Sequence, residues 1–149
     1  MRKSVGELVK GRKTVIAKPG DSVLALCKRL RAANVGAAPV VKDGVLVGIF
    51  TERDLLKRVV AAGKNAKTLA VSKVMTKNPV TAIPRLTVLE GLGVMREHQC
   101  RHLPLVEDGK LLGIVSQRDI IHAILAMKEE EIEDLKQTLD LLPIEPGVG

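Results

Sequence analysis

Aromatic residues are almost absent from this sequence, whose 149 residues include no Trp, no Tyr and one Phe. Because hydrophobic residues still make up 46% of the chain, its core must be built from aliphatic side chains. A charged fraction of 28% beside that hydrophobic content is typical of a globular chain rather than a disordered one. The scarcity of aromatic rings also weakens the case for RNA binding, in which bases commonly stack on such rings.

Long apolar runs and paired cysteine motifs are missing too. No run approaches the roughly 18–20 apolar residues that a membrane span requires, and the basic N-terminal stretch MRKSVGELVKGRK lacks the apolar region of a signal peptide. Cys27 and Cys100 are predicted to be buried reduced thiols, and no His, Cys or Asp cluster has metal-ligand spacing. The sequence therefore predicts a cytoplasmic protein that binds neither a membrane nor a metal.

Recognisable catalytic motifs are absent as well. Gly91 and Gly93 fall inside a predicted helix and lack the third glycine of a dinucleotide fingerprint, and the chain has no Gly-Lys-Ser/Thr phosphate loop. No nucleophile is accompanied by a recognisable base and orienting group. We therefore expect a protein that is not an enzyme and requires no cofactor.

Charge is unevenly distributed along the chain, whose formal net charge is +7. Residues 1–127 contain 22 Lys/Arg against 10 Asp/Glu, whereas residues 128–149 contain 2 against 7. A body of +12 followed by a tail of −5 favours a phosphate-bearing ligand such as a nucleotide, a nucleic acid or an anionic lipid.

One short motif occurs twice, as GIFTERD at residues 48–54 and GIVSQRD at residues 113–119, an offset of 65 positions. Four of its seven positions are identical. The same offset aligns further residues, namely Val15 with Val80, Pro39 with Pro104 and Gly44 with Gly109. The chain is therefore an internal repeat of two small units.

Each copy is predicted to contain the same elements. The first copy shows a strand at 14–16, a helix over about 22–33, a hairpin around Asp43-Gly44 and a helix over about 52–62. The second shows a short helix at 71–75, a strand at 79–81, a helix from the Thr87 cap to about 98, a hairpin around Asp108-Gly109 and a helix over 119–127. The predicted class is α/β (α+β), with two units related by a pseudo-twofold axis, each a three-stranded sheet with packed helices.

Beyond the repeat, Ile132, Leu135, Leu139 and Leu142 are spaced three, four and three residues apart and are followed by Pro143. This spacing predicts an amphipathic helix, which could fold back on its own domain or pair with a partner helix. The predicted organisation is a first motif over 4–62, a linker over 63–70, a second motif over 71–126, and a C-terminal helix and tail over 127–149.

The repeated pattern resembles a tandem cystathionine-β-synthase (CBS) domain pair, or Bateman module. The resemblance rests on an apolar-Pro-apolar-Val strand, an Asp-Gly turn and Gly-Ile-x-(Ser/Thr)-x-x-Asp in both copies, and it covers about residues 4–126. It implies a regulatory module that binds an adenosyl ligand, with AMP, ADP or ATP favoured and S-adenosylmethionine as another candidate. It also implies a homodimer and a separate target protein that responds to the ligand.

The resemblance implies a role for individual residues. Asp54 and Asp119 would accept hydrogen bonds from ribose hydroxyls, and Thr51 and Ser116 would contact ribose or phosphate. Phosphates would be held by Arg101 and His102, with further candidates in Arg53, Arg118 and Lys18. The adenine slot would be lined by Thr14, Val15, Ile16, Ala38, Thr81, Ala82, Ile83, Leu103 and Pro104.

The first copy departs from the pattern, because uncharged Gly36-Ala37 stands where the second has Arg101-His102. We therefore expect two unequal clefts. Ser/Thr-x-x-Asp is also an ordinary helix cap, and both roles can hold at once. Two other functions stay open: nucleic-acid binding, suggested by the basic body, and a dimerisation or protein-interaction module without ligand.

Overall fold

The computed structural model describes residues 2–144 and 147. The first half of the chain contains α1 (Val5–Val9), α2 (Val23–Ala33), β1 (Ala37–Lys42), β2 (Val45–Thr51) and α3 (Glu52–Asp54), which continues as a π-helical turn over Leu55–Val60. The second half contains a 3₁₀ turn (Val71–Lys73), β3 (Thr76–Lys77), α4 (Val88–His98), β4 (His102–Glu107), β5 (Lys110–Ser116) and α5 (Gln117–Leu141). The predicted α+β class is confirmed.

Both hairpins close through an Asp-Gly turn, as predicted. Asp43 and Gly44 have φ values of 50° and 79°, and Asp108 and Gly109 have φ values of 51° and 74°. Positive φ at both central residues is characteristic of the type I′ turn, whose twist matches that of antiparallel strands. β1 accordingly pairs with β2, and β4 pairs with β5.

The two longer helices of the repeat begin and end alike. The hydroxyls of Ser22 and Thr87 each accept a hydrogen bond from the N–H three residues on, at 3.1 Å in both cases. Each helix then ends at a left-handed residue, Asn34 at φ 55° and Gln99 at φ 53°. The predicted helices over 22–33 and up to 98 are therefore confirmed.

The two halves exchange the segments that precede their helices. α1 packs into the second core, where Val5 and Val9 are buried, and the Val5 N–H donates to the Leu86 carbonyl at 2.8 Å. Conversely, Val71 is buried in the first core, and its N–H donates to the Asp21 carbonyl at 2.9 Å. Each core therefore includes a segment contributed by the other half of the chain.

The predicted strands at 14–16 and 79–81 do not form. Only Ala17 and Ala82 make single parallel bridges, to Val40 and Leu105 respectively. In each copy a proline follows two residues later and has no N–H with which to continue a ladder. The sheets consequently contain three strands, β1-β2-β3, and two strands, β4-β5, rather than three in each unit.

Cys27 and Cys100 are free thiols, and they are half-buried rather than fully buried as predicted. Burial raises the pKa of both thiols, and in Cys100 backbone hydrogen bonds partly oppose that rise. Both groups therefore stay protonated at neutral pH. Across residues 2–144 and 147, no group of three or more His, Cys, Asp or Glu side chains is placed to hold a metal ion.

α5 is one continuous helix of 25 residues, where the sequence predicted two helices meeting near residue 127. Ile120 and Ala123 anchor its first part in the second core. Its later part does not fold back, because Leu135 and Leu139 are 64% and 66% exposed. In the part of the chain that the structure describes, no helix combines the length and the apolar character needed to cross a membrane.

Candidate functional site

The two Ser/Thr-x-x-Asp motifs form the same local structure, a capping box at the start of a helix. The Thr51 hydroxyl accepts from the Asp54 N–H at 3.3 Å, and the Asp54 carboxylate accepts from the Thr51 N–H at 3.0 Å. Ser116 and Asp119 repeat the arrangement at 3.0 and 2.8 Å. Both motifs are therefore helix caps, which leaves the surroundings of each carboxylate to decide any further role.

Asp119 lies in the wall of a cleft of about 860 Å³ formed by both halves of the chain. Residues from the first half come from the segment after α1, the end of α2 and the beginning of α3, and residues from the second half come from β4, β5 and the first turns of α5. The charged and titratable side chains that line it are Arg12, Lys13, Arg31, Glu52, Arg101, His102, Arg118, Asp119 and His122. Five Lys/Arg side chains against two carboxylates make this cleft attractive to an anion.

Arg12 holds the Asp119 carboxylate across the cleft. Its two terminal nitrogens donate to the two carboxylate oxygens at 2.8 and 3.3 Å, a bidentate pair. Burial by itself would raise the pKa of Asp119, but the hydrogen bonds from Arg12 and Ser116 outweigh it, and the pKa is lowered overall. Asp119 is therefore ionised at neutral pH and able to accept hydrogen bonds.

We expect Arg12→Gln to raise the pKa of the Asp119 carboxyl, because the substitution removes a positive charge and a bidentate donor. Since the pKa of Asp119 in the folded protein is lowered, its ionisation stabilises the fold above the unfolded-state pKa, and that contribution is lost as the pH falls through the folded-state value. NMR titration of the carboxyl carbon would measure the change. The control is Arg2→Gln, at an exposed position near the N-terminus. An unchanged pKa of Asp119 in Arg12→Gln would show that the ion pair does not form in solution.

Arg101 and His102 lie side by side at the start of β4 and both line the cleft. The Arg101 carbonyl accepts from the Gln117 N–H at 2.8 Å, which ties this strand to the beginning of α5. Burial lowers the pKa of His102, and the neighbouring charges of Glu52 and Asp119 only partly offset that effect. His102 is therefore neutral at neutral pH, and an anion beside it would favour its protonation.

At Gly36, the uncharged position of the first copy, the Glu52 side chain fills the space that a side chain would take. The Glu52 side chain lies so close over Gly36 that a Cβ there would collide with its carboxylate. The Glu52 N–H also donates to the Gly36 carbonyl at 3.0 Å. Gly36 thus lets a carboxylate lie where the second copy has the exposed cation Arg101, a physical basis for unequal surroundings in the two copies.

Asp54 does not line this cleft and is only 5% exposed. Its carboxylate accepts from the Thr51 N–H at 3.0 Å and from the Thr76 hydroxyl at 3.1 Å, and Arg58 lies 3.5 Å away. Hydrogen bonds from Thr51 and Thr76 and an ion pair with Arg58 therefore engage this carboxylate. The two aspartates have the same local motif but different partners.

The predicted site residues divide into two groups. The cleft brings together Thr14, Val15, Arg101, His102, Ser116, Arg118 and Asp119. It does not include Thr51, Arg53, Asp54, Ile16, Lys18, Ala38, Thr81, Ala82, Ile83, Leu103 or Pro104. Ala38, Ala82 and Leu103 instead belong to the two cores, while Ile16 and Ile83 are exposed at the surface.

Several cleft residues were missed by reasoning from the sequence, namely Arg12, Lys13, Arg31, Asn34, Glu52 and Ile121. Arg12 and Lys13 immediately precede the predicted Thr14, so their adjacency was an available signal. Arg31 offered none, because a cation near the end of an amphipathic helix is ordinarily a solvent-exposed residue.

Comparison with known proteins agrees with this architecture. A family model for the CBS domain matches residues 5–61 and 71–126. The chain belongs to the CBS-domain family. CBS domains typically bind adenosyl ligands, so the basic cleft with its capped aspartate lies in a fold commonly used for that purpose.

Two curated relatives match this CBS pair along most of its length. The CBS domain-containing protein YhcV of Bacillus subtilis is 36% identical over 102 residues, covering 68% of this chain and 72% of its own. The mitochondrial CBS domain-containing protein CBSX3 of Arabidopsis thaliana is 34% identical over 120 residues, covering 77% of this chain but only 58% of its own. Both are named for CBS domains and not for a catalytic activity, which agrees with the prediction that this chain is not an enzyme.

Solved structures share the fold closely. The CBS-domain protein ATU1752 of Agrobacterium tumefaciens is 38% identical, with a TM-score of 0.75 over 83% of this chain and 94% of its own. A CBS protein from Burkholderia ambifaria, provisionally described as acting in signal transduction, is 30% identical with a TM-score of 0.78 over 83% of this chain and 95% of its own. A cyanobacterial CBS-CP12 protein at 26% identity, covering 81% of this chain and 67% of its own with a TM-score of 0.74, is hexameric, so proteins with this fold do oligomerise.

Proposed function

We propose that this CBS pair is a regulatory module that binds an adenine nucleotide in the cleft beside Asp119. The observation that carries the proposal is the joint presence of an ionised, capped Asp119 and five Lys/Arg side chains around one cleft. A ribose offers two adjacent hydroxyls to a carboxylate, and phosphates attract clustered cations. A cleft of about 860 Å³ lies within the usual range for small-molecule sites.

The residues that line the cleft also indicate where each part of the nucleotide would bind. Val15, Ala37 and Ile114 supply an apolar part of the lining, which suits the faces of an adenine ring. Arg101 and Arg118 line the same cleft from the second half of the chain and would contact phosphate. We propose AMP, ADP or ATP ahead of S-adenosylmethionine, because a sulfonium cation would gain nothing from this concentration of positive charge.

Binding would change how the two halves contact each other. Arg12, from the segment after α1, is bound to Asp119 at the start of α5. A ribose that takes the same carboxylate would compete with Arg12 and free its guanidinium for a phosphate. A ligand regulates only if it favours one arrangement over another, and this exchange of partners provides such a difference. The packing of the halves, or of a homodimer, would then signal to a separate target protein.

Isothermal titration calorimetry against ATP, AMP, S-adenosylmethionine, NAD and adenosine tests the proposal. Intrinsic fluorescence would report little, since the chain has no Trp and no Tyr. We expect saturable binding of one adenine nucleotide per chain, stronger for ATP than for adenosine and weakened by salt, because cations supply part of the affinity. Equal affinity for ATP and adenosine, or no heat with any ligand at two temperatures, would contradict it.

A further inference from the structure

A second stripe of apolar residues runs along α5, separate from the face that packs into the core. Its spacing alternates four and three residues, and it consists of Ile121, Leu125, Lys128, Ile132, Leu135, Leu139 and Leu142, the last directly after the helix. Six of the seven are apolar, and those six are between 42% and 66% exposed. We call this stripe the α5 seam.

Apart from Ile121, which lines the cleft, the α5 seam points away from the protein's own body. Ile120 and Ala123 face the second core and are buried. At roughly 100° per residue, the centre of the seam lies about a third of a turn around the helix from that buried face. The body therefore occupies one side of α5 and leaves the seam from Leu125 onward clear for another helix.

A strict four-three alternation has a period of 3.5 residues, which is the repeat of a two-helix coiled coil. Packing against the chain's own domain does not require this repeat to continue over three heptads. Here the domain leaves the apolar residues of the repeat exposed. We propose that the α5 seam pairs with the seam of a second copy of this chain, in an antiparallel coiled coil.

Charge favours a second copy in antiparallel orientation. Residues 128–149 carry −5 and residues 1–127 carry +12, so antiparallel pairing lays each acidic tail beside the partner's basic body. Parallel pairing would instead bring two acidic tails together. It would also place Lys128 against its own counterpart within the seam, whereas antiparallel pairing places Lys128 opposite Leu139.

The residues that flank the seam are compatible with the same orientation. When Ile132 lies opposite Leu135 of the second copy, Glu129 of each chain lies beside Lys136 of the other. The ion pair that Lys128 already makes with Glu131, at 3.2 Å, is kept within each helix. The remaining acidic residues of the helix take outward positions, namely Glu130, Glu133, Asp134 and Asp140.

Disulfide cross-linking of the full-length protein tests both the pairing and its direction. Residues 128 and 139 lie about 16 Å apart along one helix, too far for a bridge within a chain. We expect Lys128→Cys/Leu139→Cys to form a covalent dimer on mild oxidation, while Lys128→Cys and Leu139→Cys alone, and the wild type with its two native cysteines, do not. Dimers from the single variants would indicate parallel pairing, and no dimer from the double variant would show that the seam is not an interface; either result overturns the proposal.

Sedimentation velocity supplies an independent measurement. We expect Leu135→Lys to raise the Kd of the dimer at least about tenfold, because each dimer loses two buried leucines. Gln137→Lys, on the outward face of the same helix, adds the same charge and leaves the Kd unchanged. We also expect Glu129→Lys to weaken association and Glu129→Lys/Lys136→Glu to restore it. A wild-type monomer at all concentrations, or equal effects of Leu135→Lys and Gln137→Lys, overturns the proposal.

Discussion

Asp119→Asn is expected to weaken binding of ATP or AMP by at least about tenfold. In the proposed complex the carboxylate accepts from two ribose hydroxyls, and hydrogen bonds to a charged group contribute about 1.5–3 kcal/mol each. Asparagine keeps one oxygen that can still accept from the Ser116 N–H, so the helix cap survives the substitution. Calorimetric titration of the variant measures the effect.

The matched control is Asp108→Asn, which removes the same charge from an exposed hairpin turn in the same half of the chain. Asp108 has a φ of 51°, a conformation that Asn also adopts readily, so this variant should keep both its fold and its affinity. If Asp119→Asn binds as tightly as the control, the ribose assignment is wrong even where nucleotide binding itself is observed.

Asp54→Ala, in contrast, is expected to lower the free energy of unfolding by about 2–4 kcal/mol. The substitution leaves the half-buried Thr51 N–H and Thr76 hydroxyl without their acceptor, and an unsatisfied buried donor costs about 1–3 kcal/mol. Arg58 adds little to this figure, because its side chain is 51% exposed and its charge is screened by water. Urea unfolding followed by far-UV circular dichroism measures the loss.

The control for stability is Glu107→Ala, an exposed carboxylate at the end of β4, which should change the unfolding free energy by less than about 0.5 kcal/mol. At temperatures where Asp54→Ala stays folded, its affinity for nucleotide should match that of the wild type, since Asp54 does not line the cleft. A stable Asp54→Ala protein that has lost nucleotide binding would instead make Asp54 a ligand residue.

These two predictions assign different roles to the two copies of one motif, namely ligand binding to Asp119 and folding stability to Asp54. In the second copy, Asp119 is tied to Arg12 of the other half and opens onto a basic cleft. In the first copy, Asp54 is enclosed by Thr51 and Thr76 and contributes to folding. The first copy also has Gly36 where the second copy has the cation Arg101. Gly36 lets the Glu52 carboxylate lie at that position, which makes the surroundings of the two motifs unequal. We therefore propose one nucleotide site per chain, in line with the expected inequality of the two copies.

Much of the fold could be predicted because its determinants are local. The Asp43-Gly44 and Asp108-Gly109 turns require positive φ, which few residue pairs adopt readily, so those hairpins are specified by two residues each. A hydroxyl such as that of Thr87 caps a helix through a bond to a residue three positions away. The strands at 14–16 and 79–81 were mispredicted because pairing depends on a distant neighbour, and only Ala17 and Ala82 obtain one.

The sequence by itself determined the two-unit repeat, both hairpins, the capped helices and some of the residues that line the cleft, among them Arg101, His102 and Asp119. Only the tertiary structure decided which aspartate faces a cleft. The Asp119 and Arg12 side chains meet although 107 positions separate them, and no local pattern encodes that contact. The exchange of lead-in segments, which brings Val5 to the second core and Val71 to the first, was likewise decided by packing. Two copies of one motif acquire different chemistry because the charge, burial and hydrogen bonding around each carboxylate come from residues far away in the chain.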